Sequence, residues 1–135
     1  MFMCIFCNIA KHLTDAHIVY EDNVVIAFLD SDPINEGHIL IVPKEHYSDI
    51  DGIPDELSFH IMHIAKKIVT AIKDIYNPDG YSIMQNGGIF NDIGHFHLHI
   101  FPRYSDDGFG WTNNEKDADY SKQVADKIAV TLQTL

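Results

Sequence analysis

Cysteine is scarce in this chain: Cys4 and Cys7 are the only two among 135 residues. A disulfide framework therefore cannot carry the fold, and the C-x-x-C spacing suits a metal or redox pair better than a structural disulfide. Basic residues are also few, nine Lys plus Arg against twenty Asp plus Glu, for a formal charge of -11. Such a balance excludes a broad electrostatic grip on a nucleic acid polymer, so any phosphate ligand must be held by local donors. Long apolar runs are missing as well: none approaches the ~20 residues that span a bilayer, and no membrane partner is expected. The stretch from Met1 to Ala10 lacks the basic region of a secretory signal, which points to a cytoplasmic protein with both thiols reduced. Repeats, low-complexity segments and linkers are absent too, so we expect one domain over residues 1–135. Its core can be drawn from the 46% of residues that are apolar.

Histidine, by contrast, is abundant, with nine in the chain. Their setting follows from a coarse reading of the elements. Val19 to Leu29 is rich in β-branched and aromatic residues and is broken by Asp22-Asn23, the pattern of a hairpin. His38 to Pro43 predicts another strand. Leu57, Ile61, Ile64, Ile68, Ile72 and Ile75 step by three or four, which predicts a helix with one buried face. Pro54, Asp55 and Glu56 suit its first turn, Lys66, Lys67 and Lys73 its negative end, and Asn77-Pro78-Asp79-Gly80 its stop. Tyr81 to Gln85 and His95 to Pro102 predict two more strands. Tyr120, Val124, Ile128 and Leu132 predict a C-terminal helix with an apolar stripe. The fold class is α+β, with a mainly antiparallel sheet and two principal helices.

The chemistry concentrates in His95-Phe96-His97-Leu98-His99-Ile100. Strand geometry puts the three imidazoles on one face, ~6 to 7 Å apart, and Phe96, Leu98 and Ile100 on the other. One histidine on a strand is ordinarily a hydrogen-bonded, half-buried residue. Three in alternation, backed by an apolar face, point instead to a shared ligand, either a phosphate or a metal ion.

The stretch HFHLHIF resembles the His-x-His-x-His-x-x signature of the histidine triad (HIT) family, specifically its nucleoside phosphoramidase branch. CIFCNIA, the Asp30 that ends AFLD, the GHILIVPKEHY block and Asn86-Gly87 follow in family order, so the resemblance spans Cys4 to Arg103. It implies a five-stranded, mainly antiparallel sheet with flanking helices, usually in a homodimer. The implied activity is hydrolysis or transfer of nucleoside 5'-monophosphate groups, from phosphoramidates, dinucleoside polyphosphates or adenylyl compounds, by way of a nucleotidyl-histidine. His97 then takes the role of nucleophile, a reasonable one for neutral imidazole near pH 7. We expect one of its ring nitrogens to attack while the other donates to a backbone carbonyl. His99 would neutralise charge or donate a proton near the leaving group, and His38 would support the triad from the next strand. Asp30 would hold the ribose hydroxyls, Phe28 and Ile5 part of a purine slot, and Asn86 the region of the phosphate. Phe90-Asn91-Asp92 departs from the family's Gly-Gln-Ser: Asn91 can replace the glutamine donor, but Asp92 puts an acid where serine is usual. Arg103 and Asp107 to Trp111 would shape the leaving-group side. The third histidine separates the chain from the uridylyltransferase branch, which has glutamine there.

The resemblance also implies a structural zinc ion on Cys4, Cys7, His46 and His95, with no organic cofactor. Two thiolates and two imidazoles suit tetrahedral zinc, and a full shell leaves no open position for catalysis. His12, His17, His60 and His63 show no partner pattern and are expected at a surface or interface. Two rival functions remain at this point. One is a metallohydrolase using the strand histidines as catalytic ligands, and the other is a nucleotide-binding scaffold without turnover.

Overall fold

The computed structural model describes residues 4–114 and 118–135. The chain runs α1 (Ile5–Ala10), β1 (Ile18–Glu21), β2 (Val25–Leu29), β3 (Ile39–Pro43), α2 (Asp55–Tyr76), β4 (Gly80–Met84), β5 (Leu98–Arg103) and α3 (Lys122–Leu132). Short 3-10 turns fall at Ile50–Gly52 and Gly88–Phe90. All four strand pairings are antiparallel, in the order β1-β2-β3-β5-β4. The expected α+β class and five-stranded sheet are therefore observed.

Strands β2 and β3 read as unbroken apolar runs because both of their faces are covered. Val25, Ala27, Ile39 and Ile41 pack against Ile61, Ile64, Ala65, Ile68 and Ile72 of α2, while Ile26, Phe28, Leu40 and Val42 pack against Phe6, Ile9 and Ala10 of α1. Alternation along each strand sends successive side chains to these two layers. Helix α2 ends as its sequence predicts, on Asn77 in the left-handed conformation (φ 43°, ψ 52°).

Several expectations need correction. Ile75 is 69% exposed; the buried stripe stops at Ile72, and Tyr76 takes the place of Ile75 on the core. That ring lies against Gly37, where φ is +89° and an added Cβ would come within 2.5 Å of Tyr76, so only glycine fits. Only Lys73 reaches the last turn of α2; Lys66 and Lys67 sit mid-helix. The last strand starts at Leu98 rather than His95, because Phe96 spends its amide on the Tyr47 carbonyl (2.7 Å) and not on a neighbouring strand. Helix α3 forms from Lys122, with the Ser121 hydroxyl accepting from the Val124 amide at 3.4 Å, but it buries no residue: Ile128 and Leu132 are exposed, and Tyr120 lies before it. Helix α1, six residues long, makes a third helix; it is too short to show a helical period.

Candidate active site

A cavity of about 1090 Å³ opens on the α1 side of the sheet, across β2, β3 and β5. His38, His97 and His99 line it, together with Asp30, Phe28, Ile5, Asn86 and Asp92. Phe96, Leu98 and Ile100 belong to the core under α2, on the opposite face, as strand alternation predicts. The histidine rings are not evenly spaced along the chain. His97 and His99 stand 4.8 Å apart, whereas His95 turns away to lie 4.6 Å from His46. His95 is fully buried and does not line the cavity with His97 and His99.

Hydrogen bonds fix the proton on each remaining ring. The Nδ1 of His97 lies 2.8 Å from the His95 carbonyl, which can only accept, so Nδ1 carries a hydrogen and in the neutral ring the lone pair is on Nε2. His38 works the other way round. The Ile34 amide donates to its Nδ1 (3.0 Å), so its proton is on Nε2, which donates to Nδ1 of His99 (2.9 Å). Burial holds His99 down to about 4, reinforced by His97 and His38, and burial also lowers His38. Both rings are neutral near pH 7, and the hydrogen on His99 is therefore on Nε2. The pair combines a nucleophilic lone pair on His97 with an N–H donor on His99. Phe6 supports the first of these edge-on, 5.1 Å from the His97 ring and 5.5 Å from Phe28.

Asp30 sits beside this relay. One carboxylate oxygen accepts from the Asp32 amide (2.9 Å), and the other lies 3.4 Å from His38 Nε2 and 3.7 Å from His99 Nδ1. Asp30, His38 and His99 are close enough together to suggest a metal site. The Ile34 amide argues against it, since an imidazole accepting at Nδ1 must keep its proton on Nε2, the nitrogen a metal would need.

Asn91 is not where it was expected. Its side chain turns into its own loop, accepting from the amides of Ile93 (3.1 Å) and Gly94 (2.9 Å) and donating to the His95 carbonyl (3.3 Å), and it does not line the cavity. Replacing glutamine by a shorter side chain brings the amide back onto local backbone. It thereby braces the carbonyl that orients His97. Arg103 is likewise outside the cavity. It pairs with Asp107 (2.6 Å), donates to Ser82 and the Phe109 carbonyl, and so holds the loop that seats Phe109 against Phe101 at the cavity wall. This pairing, with the loop amides, holds the Asp107 carboxyl far below the usual carboxylate range.

Cys4, Cys7, His46 and His95 form a second cluster, with one ligand atom from each within 4.8 Å of the others. The Cys4 and Cys7 sulfurs lie 3.4 and 3.5 Å from His95 Nδ1, and Cys7 lies 3.3 Å from His46 Nδ1. A tetrahedron with zinc–sulfur bonds of ~2.3 Å and zinc–nitrogen bonds of ~2.0 Å has sulfur–nitrogen edges of ~3.5 Å, so the donor set fits the ion. Nε2 of His95 donates to the Pro43 carbonyl (2.9 Å), which leaves Nδ1 unprotonated and aimed at the thiols.

Sequence reasoning missed Phe6, the Ile34 amide, and the loop residues Thr14, Asp15 and His17 that line one end of the cavity. None carries a motif; their chain neighbours place them. Of the other histidines, for which the sequence shows no partner pattern, His12 is exposed and pairs with Glu21 (2.8 Å), and the partly exposed His60 pairs with Asp22 (2.6 Å).

Known proteins resemble this chain in sequence and fold. The HIT domain model matches residues 11–106. The chain is 36% identical to the adenosine 5'-monophosphoramidase HNT1 of Saccharomyces cerevisiae over 135 aligned positions, covering 96% of this chain and 83% of that one. A crystal structure of a HIT family protein from Bacillus anthracis superposes with a TM-score of 0.87 at 37% identity, over 97% of this chain and 95% of the other. A zinc-bound histidine triad family protein from Mycobacterium smegmatis superposes with a TM-score of 0.74 at 30% identity, over 84% of each. By signature, fold and these relatives, the chain belongs to the HIT domain family.

Proposed function

We propose that the protein is a nucleotide hydrolase that cleaves nucleoside 5'-phosphoramidates, or related P–O–P and adenylyl compounds, through a nucleotidyl intermediate on His97. The observation that carries this reading is the pairing of a lone pair on His97 Nε2 with the neutral, N–H-bearing His99 beside it. The His97 lone pair attacks phosphorus and the bond to the leaving nitrogen breaks. A proton from solvent joins the departing amine. The hydrogen stays bonded to His97 Nδ1, and its hydrogen bond to the His95 carbonyl spreads the positive charge of the phosphorylated ring. His99 donates to a phosphoryl oxygen. Water then attacks phosphorus, the nucleoside monophosphate leaves with the water's oxygen, and one proton returns to solvent. Turnover is neutral in protons.

In this reading Asp30 takes ribose hydroxyls and Phe28, Ile5 and Ile9 supply an apolar slot for a purine, a role supported by their lining the cavity. Asn86 also lines the cavity, and in this reading it lies near the phosphate. Zinc on Cys4, Cys7, His46 and His95 is structural in this reading; it would hold α1 against the segment that leads into β5. The adenosine 5'-monophosphoramidase activity of the yeast relative supports the substrate class. We place the protein in the cytoplasm as a homodimer, supported by the exposed Phe59 and Met62 on α2 and Tyr81 and Ile83 on the edge strand β4. Among the described residues no helix is long and apolar enough to cross a membrane.

Kinetics on adenosine and guanosine 5'-phosphoramidates test the reading. Wild type should cleave them without added metal, and His97→Ala should lower kcat by at least ~10³-fold with nucleotide binding retained. Near wild-type turnover by His97→Ala would overturn the mechanism, and nucleotide binding without turnover by wild type would favour the scaffold.

A further inference from the structure

In the proposed reaction the cavity that holds the candidate nucleophile receives an anion, yet its described lining contains no fixed cation. Among the described residues that line it there is no Lys or Arg, whereas Asp15, Asp30, Asp32 and Asp92 all do. Arg103, the one arginine of the chain, is spent on Asp107, Ser82 and the Phe109 carbonyl. The four carboxylates are not equivalent. Asp30 and Asp32 are joined through the Asp32 amide beside His38, and Asp15 lies on the loop between α1 and β1, next to the apolar slot. Asp92 comes from the loop before β5 and lines the same cavity as His97 and His99, near enough for its charge to act on the His99 ring.

Asp92 is exposed, and its carboxylate makes no side-chain hydrogen bond or ion pair with the described residues. It acts on the site all the same, since its charge is among those that work against the lowering of His99. A bare carboxylate beside a phosphodiester-like anion repels it unless a positive charge lies between them. No Lys or Arg in the described lining supplies that charge before the bond to His97 forms, and a cation on the substrate would. A polyphosphate leaving group adds negative charge at this point and makes the repulsion worse.

Resting on the phosphoramidase reading, we propose that Asp92 selects the leaving group by charge, favouring an amine that carries a second, permanently positive group over a neutral or anionic one. The substrate class is then a nucleoside 5'-phosphoramidate of a cationic amine, with the P–N bond cleaved and the distal cation held by Asp92.

Three adenosine 5'-phosphoramidates whose amines differ only at the far end test this directly: trimethylammonium, the neutral tert-butyl isostere, and carboxylate. With wild type, kcat/KM should be about threefold to fivefold higher for the cation than for the neutral compound, and lower for the anion by a similar factor, the scale of one exposed ion pair. The ranking should shrink in high salt. Asp92→Asn, an isosteric change at an exposed position, should bring the three rates together. Equal rates for all three with wild type, or a ranking that persists in Asp92→Asn, would overturn the inference and leave the phosphoramidase reading standing. Acceleration of the neutral compound by added Mg2+ to the rate of the cation would also overturn it, by showing that a metal ion supplies the charge. Cleavage of none of the three would overturn the parent reading and this inference with it.

Discussion

At the scale of single residues, the chemistry of an imidazole depends on which nitrogen is already engaged. Two carbonyl or amide contacts decide it here: the His95 carbonyl accepts from His97 and so keeps a hydrogen on its Nδ1, and the Ile34 amide forces the opposite tautomer on His38 and hence on His99. Asn91 adds to the first contact by donating to the same carbonyl. Asn91→Asp keeps an acceptor for the Ile93 and Gly94 amides but removes that donor. We expect kcat to fall about fivefold, near 1 kcal/mol for one lost hydrogen bond, with KM and Tm little changed. Steady-state kinetics beside a melting curve check this, and an unchanged kcat would return Asn91 to a purely local role. The three imidazoles of the signature were legible in the sequence because alternation is geometric. Their different uses were not, since ring orientation depends on His46, Pro43 and Ile34, which no spacing rule links to His95, His97 or His99.

Among the elements, the segment from His95 to His97 joins the two sites. It is extended lead-in to β5 rather than strand, and it offers one ring to the Cys4 and Cys7 thiols while its backbone holds the nucleophile. Metal analysis of protein purified without chelator should find about one zinc per chain. Cys4→Ala with Cys7→Ala should remove it and lower Tm by at least about 5 °C, because α1 then loses its tie to the sheet. Unchanged zinc content and Tm in the double variant would remove the site. The long elements were legible: α2 from its Leu57-to-Ile72 stripe and β2 and β3 from their apolar runs. Helix α1 and the true start of β5 were not, because both are set by long-range partners, the α1 layer of the core and the Tyr47 carbonyl. Helix α3 shows the reverse case, a clear apolar stripe with no surface beneath it in the described residues.

Over the whole molecule, buried histidine and surplus acid set the response to pH. Burial, the largest cause in each case, pushes His95 and His99 down to about 4 and lowers His38 as well. Unfolded, these imidazoles take up protons near their ordinary value of ~6.5, so between pH ~6.5 and ~4 the unfolded chain binds more protons than the folded one. Stability is therefore full above pH ~6.5 and falls toward pH 4, by up to about 1.4 kcal/mol per pH unit for each such imidazole. Urea unfolding at pH 7, 6 and 5 should show midpoints dropping with pH, and His99→Gln should flatten the slope; an equal slope in the variant would show that His99 is not buried neutral. All of this chemistry converges on one covalent bond. Rapid quenching of a slow phosphoramidate turnover without acid, followed by peptide mass spectrometry, should find one nucleoside monophosphate added to the peptide that holds His97 and absent from His97→Ala. Substrate turning over with no adduct on that peptide, or an adduct that persists in His97→Ala, would contradict the mechanism.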